Sequence, residues 1–184
     1  MKVVAIGGSP RLSGVTNYLI DQALGELAAR GLETEKIVLN QYKIGFCQAH
    51  NNCASFTECQ QKDDVPWILE KFATADGVII ASPTYFGTIS AQIKAFMDRS
   101  FFLFTHGRRP QPKCAGLIAI ANRRGHEETV NELRKFVRSP EIRVFTIAAA
   151  TGSRDADPKS QTELIEQARE MGRKMSEVLL APQT

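Results

Sequence analysis

Short apolar runs alternate with longer amphipathic stretches along the whole chain. Residues 3–6 are continuously apolar and read as a buried first strand, followed by a helical period over 15–30 that Gly31 ends. A second strand is expected over 35–39. A helix over 65–75 follows, whose start Asp63 and Asp64 are placed to cap, and then a third strand over 77–81. The pattern continues as a helix over 89–104, a strand over 115–121, a helix over 127–138, a strand over 142–149 and a closing helix over 161–180. Five strands alternating with five helices through right-handed connections predict an α/β fold, a doubly wound parallel sheet. Ligands of such sheets sit beyond the carboxyl ends of the strands, which directs attention to residues 7–16, 40–62, 82–88, 122–126 and 150–157.

Composition narrows the function. The chain has 184 residues, 43% of them hydrophobic, enough for one compact domain with a core of its own. The 23 basic and 20 acidic residues are dispersed and leave a net charge of +3, so the clustered basic stripe of a nucleic-acid binder is missing and no nucleic-acid partner is expected. No apolar run reaches the length of a membrane span, and no membrane partner is expected. The first residues run straight into a glycine turn, too soon for a signal peptide, which points to the cytoplasm. Three of the four cysteines, Cys47, Cys53 and Cys59, crowd together, a spacing that favours metal or redox chemistry over structural bridges. Cys114 stands alone and reads as a small buried hydrophobe.

The loop after the first strand, Gly7-Gly8-Ser9-Pro10-Arg11-Leu12-Ser13-Gly14-Val15-Thr16-Asn17, opens directly into a helix. A phosphate group needs backbone N–H donors, hydroxyls and positive charge, and a helix N-terminus supplies the first and part of the last. Ser9, Ser13 and Thr16 add hydroxyls, Asn17 an amide and Arg11 a guanidinium, with Gly14 and Val15 at the helix entry. The loop has neither the Gly-Lys-Ser/Thr ending of a nucleoside-triphosphate loop nor the Gly-x-Gly-x-x-Gly of a dinucleotide site. The plainer reading is an N-capped helix with a polar turn. After the third strand, Ser82-Pro83-Thr84-Tyr85-Phe86-Gly87-Thr88 offers two aromatic faces, a proline-stiffened turn and a glycine that lets the backbone approach a planar ring. An aromatic pair of this kind also serves core or subunit packing.

Gly8-Ser9-Pro10-Arg11 with Gly14-x-Thr16, then Pro83-Thr84-Tyr85-Phe86, then Lys94-Ala95-Phe96-Met97-Asp98-Arg99 together resemble the NADPH-dependent FMN reductases and iron–sulfur flavoproteins, over nearly the whole chain. The resemblance implies a flavodoxin-like sheet of order 2-1-3-4-5 and a single FMN-binding domain over 1–184 with a Cys-containing insert at about 40–62. It implies that Ser9, Arg11, Ser13, Gly14, Val15, Thr16 and Asn17 hold the FMN phosphate. It also implies that Pro83, Thr84, Tyr85, Phe86 and Gly87 border the isoalloxazine, and that Asn122 and Gly125 approach it. The stretch Asn122-Arg123-Arg124-Gly125-His126 is richer in arginine than that family's pattern. Lys94, Asp98 and Arg99, at helical spacing, read as structural or subunit contacts. The activity implied is hydride transfer from NAD(P)H to FMN, then electron delivery to free flavin, a quinone or a small redox protein. The assembly implied is a homodimer or homotetramer, with residues 101–104 a candidate contact. Chemistry of this kind rests with the cofactor, so no side chain is nominated as catalytic. Arg108, Arg109, Arg123 and Arg124 are candidates for the extra phosphate of NADPH, or simply solvated loop residues.

Family members with a cluster space four cysteines as C-x2-C-x2-C-x(4–7)-C before an Asp-Asp pair. Here the pattern is Cys47-x2-His50-x2-Cys53-x5-Cys59, then Asp63-Asp64, with His50 in the second place. Three readings are open: a 4Fe–4S cluster held by three thiolates with His50 or an open position, a tetrahedral zinc, or a metal-free packing loop. Rival classes fare unevenly. A flavodoxin-type electron carrier would bind FMN without oxidising NAD(P)H. A receiver domain needs acidic residues where Gly7-Gly8 and Ser82-Pro83 stand, and a low-molecular-weight phosphatase needs a Cys and Arg spacing that none of the four cysteines has. A non-catalytic binding protein on the same fold is the remaining alternative.

Overall fold

The computed structural model describes residues 1–137 and 139–182. Five strands, β1 (Lys2–Gly7), β2 (Glu33–Val38), β3 (Gly77–Pro83), β4 (Cys114–Ala121) and β5 (Arg143–Ala150), form one parallel sheet in the order 2-1-3-4-5. The topology is flavodoxin-like, as expected. β1, β3 and β4 are the inner strands and are apolar almost throughout, because both of their faces are covered.

The helices are α1 (Val15–Ala29), α2 (Val65–Ala73), α3 (Ala91–Arg99), α4 (Phe101–Thr105), α5 (His126–Phe136) and α6 (Thr162–Leu180). One face of the sheet packs α1 and α6, through Leu19, Ile20, Leu27, Met171 and Met175. The other packs α2, α3 and α5, where Phe72, Phe96 and Phe136 pack ring against ring with centroids 5.2 to 6.1 Å apart. Burying a side chain such as Phe96 contributes about 2–3 kcal/mol. Close approach on the first face depends on glycine: a Cβ at Gly172 would lie 2.5 Å from the Ala23 carbonyl oxygen of α1.

Several boundaries differ from expectation for local reasons. The helix expected over 89–104 is two helices. Ile89 goes into the core, Ser90 starts α3 by accepting the Ile93 N–H at 3.4 Å, and Ser100 ends it, its hydroxyl turned back to the Met97 carbonyl at 2.6 Å. α2 stops at Ala73, where the Thr74 hydroxyl donates to the Glu70 carbonyl at 2.8 Å. Asp63, not Asp64, accepts the Val65 N–H at 3.1 Å, while the Asp64 carboxylate accepts the N–H of Lys43 at 2.7 Å. β2 begins at Glu33, because Lys2 on the neighbouring strand pairs with Glu33 and Glu35 at 3.1 and 2.6 Å. α5 begins at His126 and is described to Phe136; Arg138, expected at its end, lies outside the described residues. Among the described residues no helix is long and apolar enough to cross a membrane.

Candidate functional site

A cleft of about 410 Å³ opens beyond the carboxyl ends of β1, β3, β4 and β5. Its floor begins at the turn after β1. Gly8 sits where any side chain would collide: a Cβ there would lie 2.2 Å from Ile93 and 2.7 Å from the Ser90 hydroxyl. That hydroxyl donates to the Gly8 carbonyl at 2.9 Å, so the end of β1 is tied to the start of α3. Behind the turn, buried Asn17 donates from Nδ2 to the carbonyl of Arg11 at 2.8 Å and more weakly to that of Ser9 at 3.4 Å, which holds the loop in shape.

The loop then delivers the N-terminus of the 15-residue α1 into the cleft. Its N-cap residue is Gly14, so no side chain caps the helix, and no acidic residue occupies the first turn. The N–H groups of the first turn have no acceptor within the helix, and the helix end carries partial positive charge. Ser9, Gly14, Val15 and Thr16 line this end of the cleft. An uncapped, acid-free helix end beside two buried hydroxyl side chains fits a phosphate group. Arg11 stands at the rim, paired with Asp155 at 3.1 Å and donating to the Arg154 carbonyl.

The other wall is built from the strand ends. Thr84 N–H donates to the Ile120 carbonyl at 2.8 Å, prolonging the contact between β3 and β4, and Pro83, Thr84, Tyr85 and Asn122 face the cleft. The Thr84 hydroxyl donates to that of Thr129 at 3.0 Å, and Thr129 donates to the Gly125 carbonyl at 2.7 Å. Gly125, at φ +89°, lies so close to Gly87 that a Cβ would come within 2.8 Å of the Gly87 Cα. The space between these strand ends suits a planar ring that continues from a phosphate seated on α1.

Of the residues that sequence reasoning singled out, Ser9, Arg11, Gly14, Val15, Thr16, Pro83, Thr84, Tyr85 and Asn122 come together in this cleft. The other candidates are not part of its lining. Ser13 is exposed, Asn17 shapes the loop from behind, Gly87 and Gly125 pack on each other behind the wall, and Phe86 projects into solvent. Arg123 and Arg124 are exposed; Arg108 pairs with Glu70 at 2.7 Å, and Arg109 lies over Phe104 at 5.3 Å. Sequence reasoning pointed to residues 150–157 as a segment after a strand but singled out none of Thr151, Ser153, Arg154 and Ala156, which close the cleft from the loop after β5. Thr151 and Gly152 N–H groups donate to the carbonyls of Ala121 and Asn122 at 3.0 and 2.8 Å, so this loop follows β4 closely. The signal was its place after a strand and its hydroxyl-rich Thr-Gly-Ser-Arg run.

The cysteine segment forms a second cleft, of about 720 Å³, where Cys47, His50, Cys53 and Cys59 face Met97, Phe101 and Phe102. The cysteines are free, and among the described residues no three His, Cys, Asp or Glu side chains are close enough to hold a metal ion. Three thiols and an imidazole nevertheless suit a cluster or zinc in their chemistry. Arg99 anchors the segment. Its guanidinium, 1% exposed, pairs with Asp63, 4% exposed, through contacts of 2.5 and 3.1 Å. It also donates to the Gly45 carbonyl at 2.9 Å and to the Cys59 sulfur at 3.3 Å. Burial pushes the Asp63 carboxyl up, but Arg99 and the N–H groups of Gly45 and Val65 outweigh it and hold Asp63 below the usual aspartate value. Lys94 and Asp98 are a separate, exposed pair one turn apart. Cys114 is buried, its thiol pushed up to about 12 by desolvation.

Comparison with known proteins agrees with this geometry. Residues 1–157 match the family described as NADPH-dependent FMN reductase. An iron–sulfur flavoprotein of Methanocaldococcus jannaschii is 36% identical over 189 residues, covering 97% of both chains. One of Methanosarcina thermophila is 32% identical over 139 residues, covering 74% of this chain and 73% of its own. Among solved structures, an NAD(P)H:quinone oxidoreductase from Methanothermobacter marburgensis superimposes with a TM-score of 0.72 at 16% identity, covering 95% of this chain and 96% of that one. An FMN-dependent NADH-azoreductase of Bacillus anthracis in complex with FMN gives 0.66 at 15%, covering 96% and 100%. At such identities these two structures show the shared fold alone.

Proposed function

This chain belongs to the NADPH-dependent FMN reductase family and is an FMN-dependent oxidoreductase; from that premise we propose that it takes electrons from NAD(P)H and hands them to a flavin, a quinone or a small redox protein. The observation that carries the reading is the uncapped N-terminus of α1, opening with Ser9 and Thr16 into a cleft that the ends of β3 and β4 extend. FMN bound there would supply the redox chemistry, the capacity to take up hydride and to give up electrons in a pair or singly. The protein's part is to bind and orient. The first turn of α1, Ser9 and Thr16 would hold the phosphate with Arg11 at its rim, and Pro83, Thr84, Tyr85 and Asn122 would frame the ring. With a quinone as acceptor the balance is NAD(P)H, a proton and quinone giving NAD(P)⁺ and hydroquinone. We place the activity in the cytoplasm, in a homodimer or homotetramer.

A second reading makes the protein an electron carrier with a cluster in the Cys-containing segment at about 40–62. It is favoured by the shared cleft of Cys47, His50, Cys53 and Cys59 and by the likeness to relatives described as iron–sulfur flavoproteins. The four side chains would have to draw together for ligation. One experiment separates the readings: purification without oxygen, a visible spectrum, iron and sulfide analysis, and NADPH and NADH oxidation with a quinone. A flavin spectrum with nucleotide oxidation and no iron supports the reductase and leaves the cysteines to packing. Iron and sulfide with no nucleotide oxidation supports the carrier. Failure to bind added FMN overturns both.

A further inference from the structure

The two edges of the sheet are finished differently. β2, at one edge, carries Glu33, Glu35 and Lys36, which pair with Lys2, Lys71 and Asp21. Charges on an edge keep a further strand from adding to it. β5, at the other edge, has no charge, proline or glycine from Val144 to Ala150. Beside it, against α6, runs a groove of about 690 Å³. Val144, Phe145, Thr146 and Ile147 all line this groove. Side chains alternate between the faces of a sheet, so four consecutive residues in one groove mean that the edge itself is open. The N–H groups of Arg143 and Thr151 donate to the Lys113 and Ala121 carbonyls, which turns the odd-numbered residues of β5 toward β4 and the even-numbered ones outward. The outward N–H and C=O groups of Val144, Thr146, Ala148 and Ala150 have no partner among the described residues. An edge this long and uncharged is a template for another strand.

The order of residues in β5 says which strand. Its first half is bulky, Arg-Val-Phe-Thr, and its second is small after Ile147, Ala-Ala-Ala. Turned about a two-fold axis at Ile147, β5 meets itself antiparallel with Val144 opposite Ala150, Phe145 opposite Ala149 and Thr146 opposite Ala148. Every larger side chain then faces an alanine. The outward residues fall on the hydrogen-bonded pairs, Val144 with Ala150 and Thr146 with Ala148, each exchanging two bonds. Like faces stay together as well: Phe145, Ile147 and Ala149 belong to the α6 side of the sheet, Val144 and Ala148 to the α5 side. Charge obeys the same symmetry. Along the groove α6 runs from Glu163 and Glu166 to Arg173 and Lys174, so the axis that reverses β5 sets the acidic end of one α6 beside the basic end of the other. Within the chain Glu166 already pairs with Arg173, whereas Glu163 has no ion pair among the described residues and can meet Lys174 of the second copy. We propose that β5 docks on β5 of a second copy of this chain, antiparallel about Ile147, joining two five-stranded sheets into one of ten strands. Such a self-complementary edge is an isologous interface. It needs no cofactor, and it gives the homodimer or homotetramer of the functional reading a defined surface away from residues 101–104.

The test uses the full chain with Thr146→Lys, which sets a charge on the exposed edge, and Ala148→Pro, which removes one outward N–H and no bond to β4. Thr146→Val is the uncharged control. The readouts are molar mass by light scattering over a concentration series, far-ultraviolet circular dichroism, and residue-resolved amide exchange. Wild type and Thr146→Val are expected at one oligomeric mass, and Thr146→Lys and Ala148→Pro at half of it with an unchanged dichroism spectrum. The amides of Val144, Ala148 and Ala150 should exchange about tenfold or more slowly in wild type than in Thr146→Lys. Glu163→Lys and Lys174→Glu should each weaken association about two- to tenfold, and the double exchange should restore it. A monomeric wild type overturns the proposal and leaves the edge to a strand of another protein. An oligomer whose mass survives both Thr146→Lys and Ala148→Pro overturns it too, by placing the contact elsewhere. So do edge amides that exchange equally fast in wild type and Thr146→Lys. Failure of the double exchange to restore association overturns the antiparallel arrangement. Should one edge variant not fold, the other variant and the concentration dependence of edge-amide exchange in wild type decide: exchange that does not slow as concentration rises overturns the proposal.

Discussion

Arg99 shows how much one side chain does in this molecule. It is buried, it satisfies Asp63 with two contacts, and it reaches both ends of the cysteine segment through Gly45 and Cys59. Removing one partner of such a pair leaves a buried charge uncompensated, so Arg99→Met is expected to cost about 3–5 kcal/mol in urea unfolding at pH 7. The pair also sets a pH dependence. Because Asp63 is held below its ordinary value of 3.8, its contribution is fully present above that pH and is lost as pH falls through the lower folded value. The gap between wild type and Asp63→Asn should therefore be full at pH 7 and shrink below about pH 4; a gap that is constant with pH would refute this role for the carboxylate. Helical spacing grouped Lys94, Asp98 and Arg99 as structural, yet it could not distinguish the exposed pair from the buried anchor, whose partner is on a distant segment. Asn17 is a similar case. An amide at a phosphate loop looks like a ligand in the sequence, and only the fold shows it bonding the loop's own carbonyls.

Among the elements, the N-terminus of α1 was the most legible, because glycine, hydroxyls and a helical period all point to one strand-to-helix turn. The loop after β5 was less so. Its residues become wall only because β5 lies beside β4 in the sheet, and sheet order is set by packing of distant segments. The break in the helix expected over 89–104 was hidden for the opposite reason: the apolar period runs through Ser100, so nothing in the pattern separates α3 from α4. The α1 reading makes a direct prediction. Gly14→Asp places a carboxylate at the N-cap, where it would both satisfy the first-turn N–H groups and repel a phosphate. Its Cβ would meet the Arg11 carbonyl oxygen at 3.2 Å, so the loop must give by a few tenths of an ångström. FMN affinity should fall by about tenfold or more, since a charge-assisted hydrogen-bond set is lost, while the thermal midpoint without FMN stays within about 4 °C. Fluorescence titration of FMN checks it, and unchanged affinity would mean that the phosphate sits elsewhere.

At the scale of the whole molecule, the cleft lies where the chain changes faces of the sheet. After β1 it crosses to α1 on one side, and after β3 to α3 on the other, so the two halves of the site belong to different layers. The phosphate end depends on the α1–α6 face, and the ring end and cysteine segment on the face of α2, α3 and α5. Damage confined to one layer should then separate them. Gly172 is the lever, because α6 approaches α1 so closely there that a Cβ would lie 2.5 Å from the Ala23 carbonyl oxygen and 2.8 Å from the Glu26 side chain. Gly172→Leu forces the two helices apart, and overpacking of this kind costs about 1–3 kcal/mol. A shifted α1 carries its N-terminus with it, so FMN affinity should weaken together with stability. The aromatic face should be spared: Trp67, which packs edge-on against Tyr42 at 5.1 Å on the face of α2, should keep its wild-type fluorescence in the folded variant. Weakened FMN binding with unaltered Trp67 emission would show that the layers fail separately. Emission changing in parallel would show that the site is held by the sheet as one rigid body.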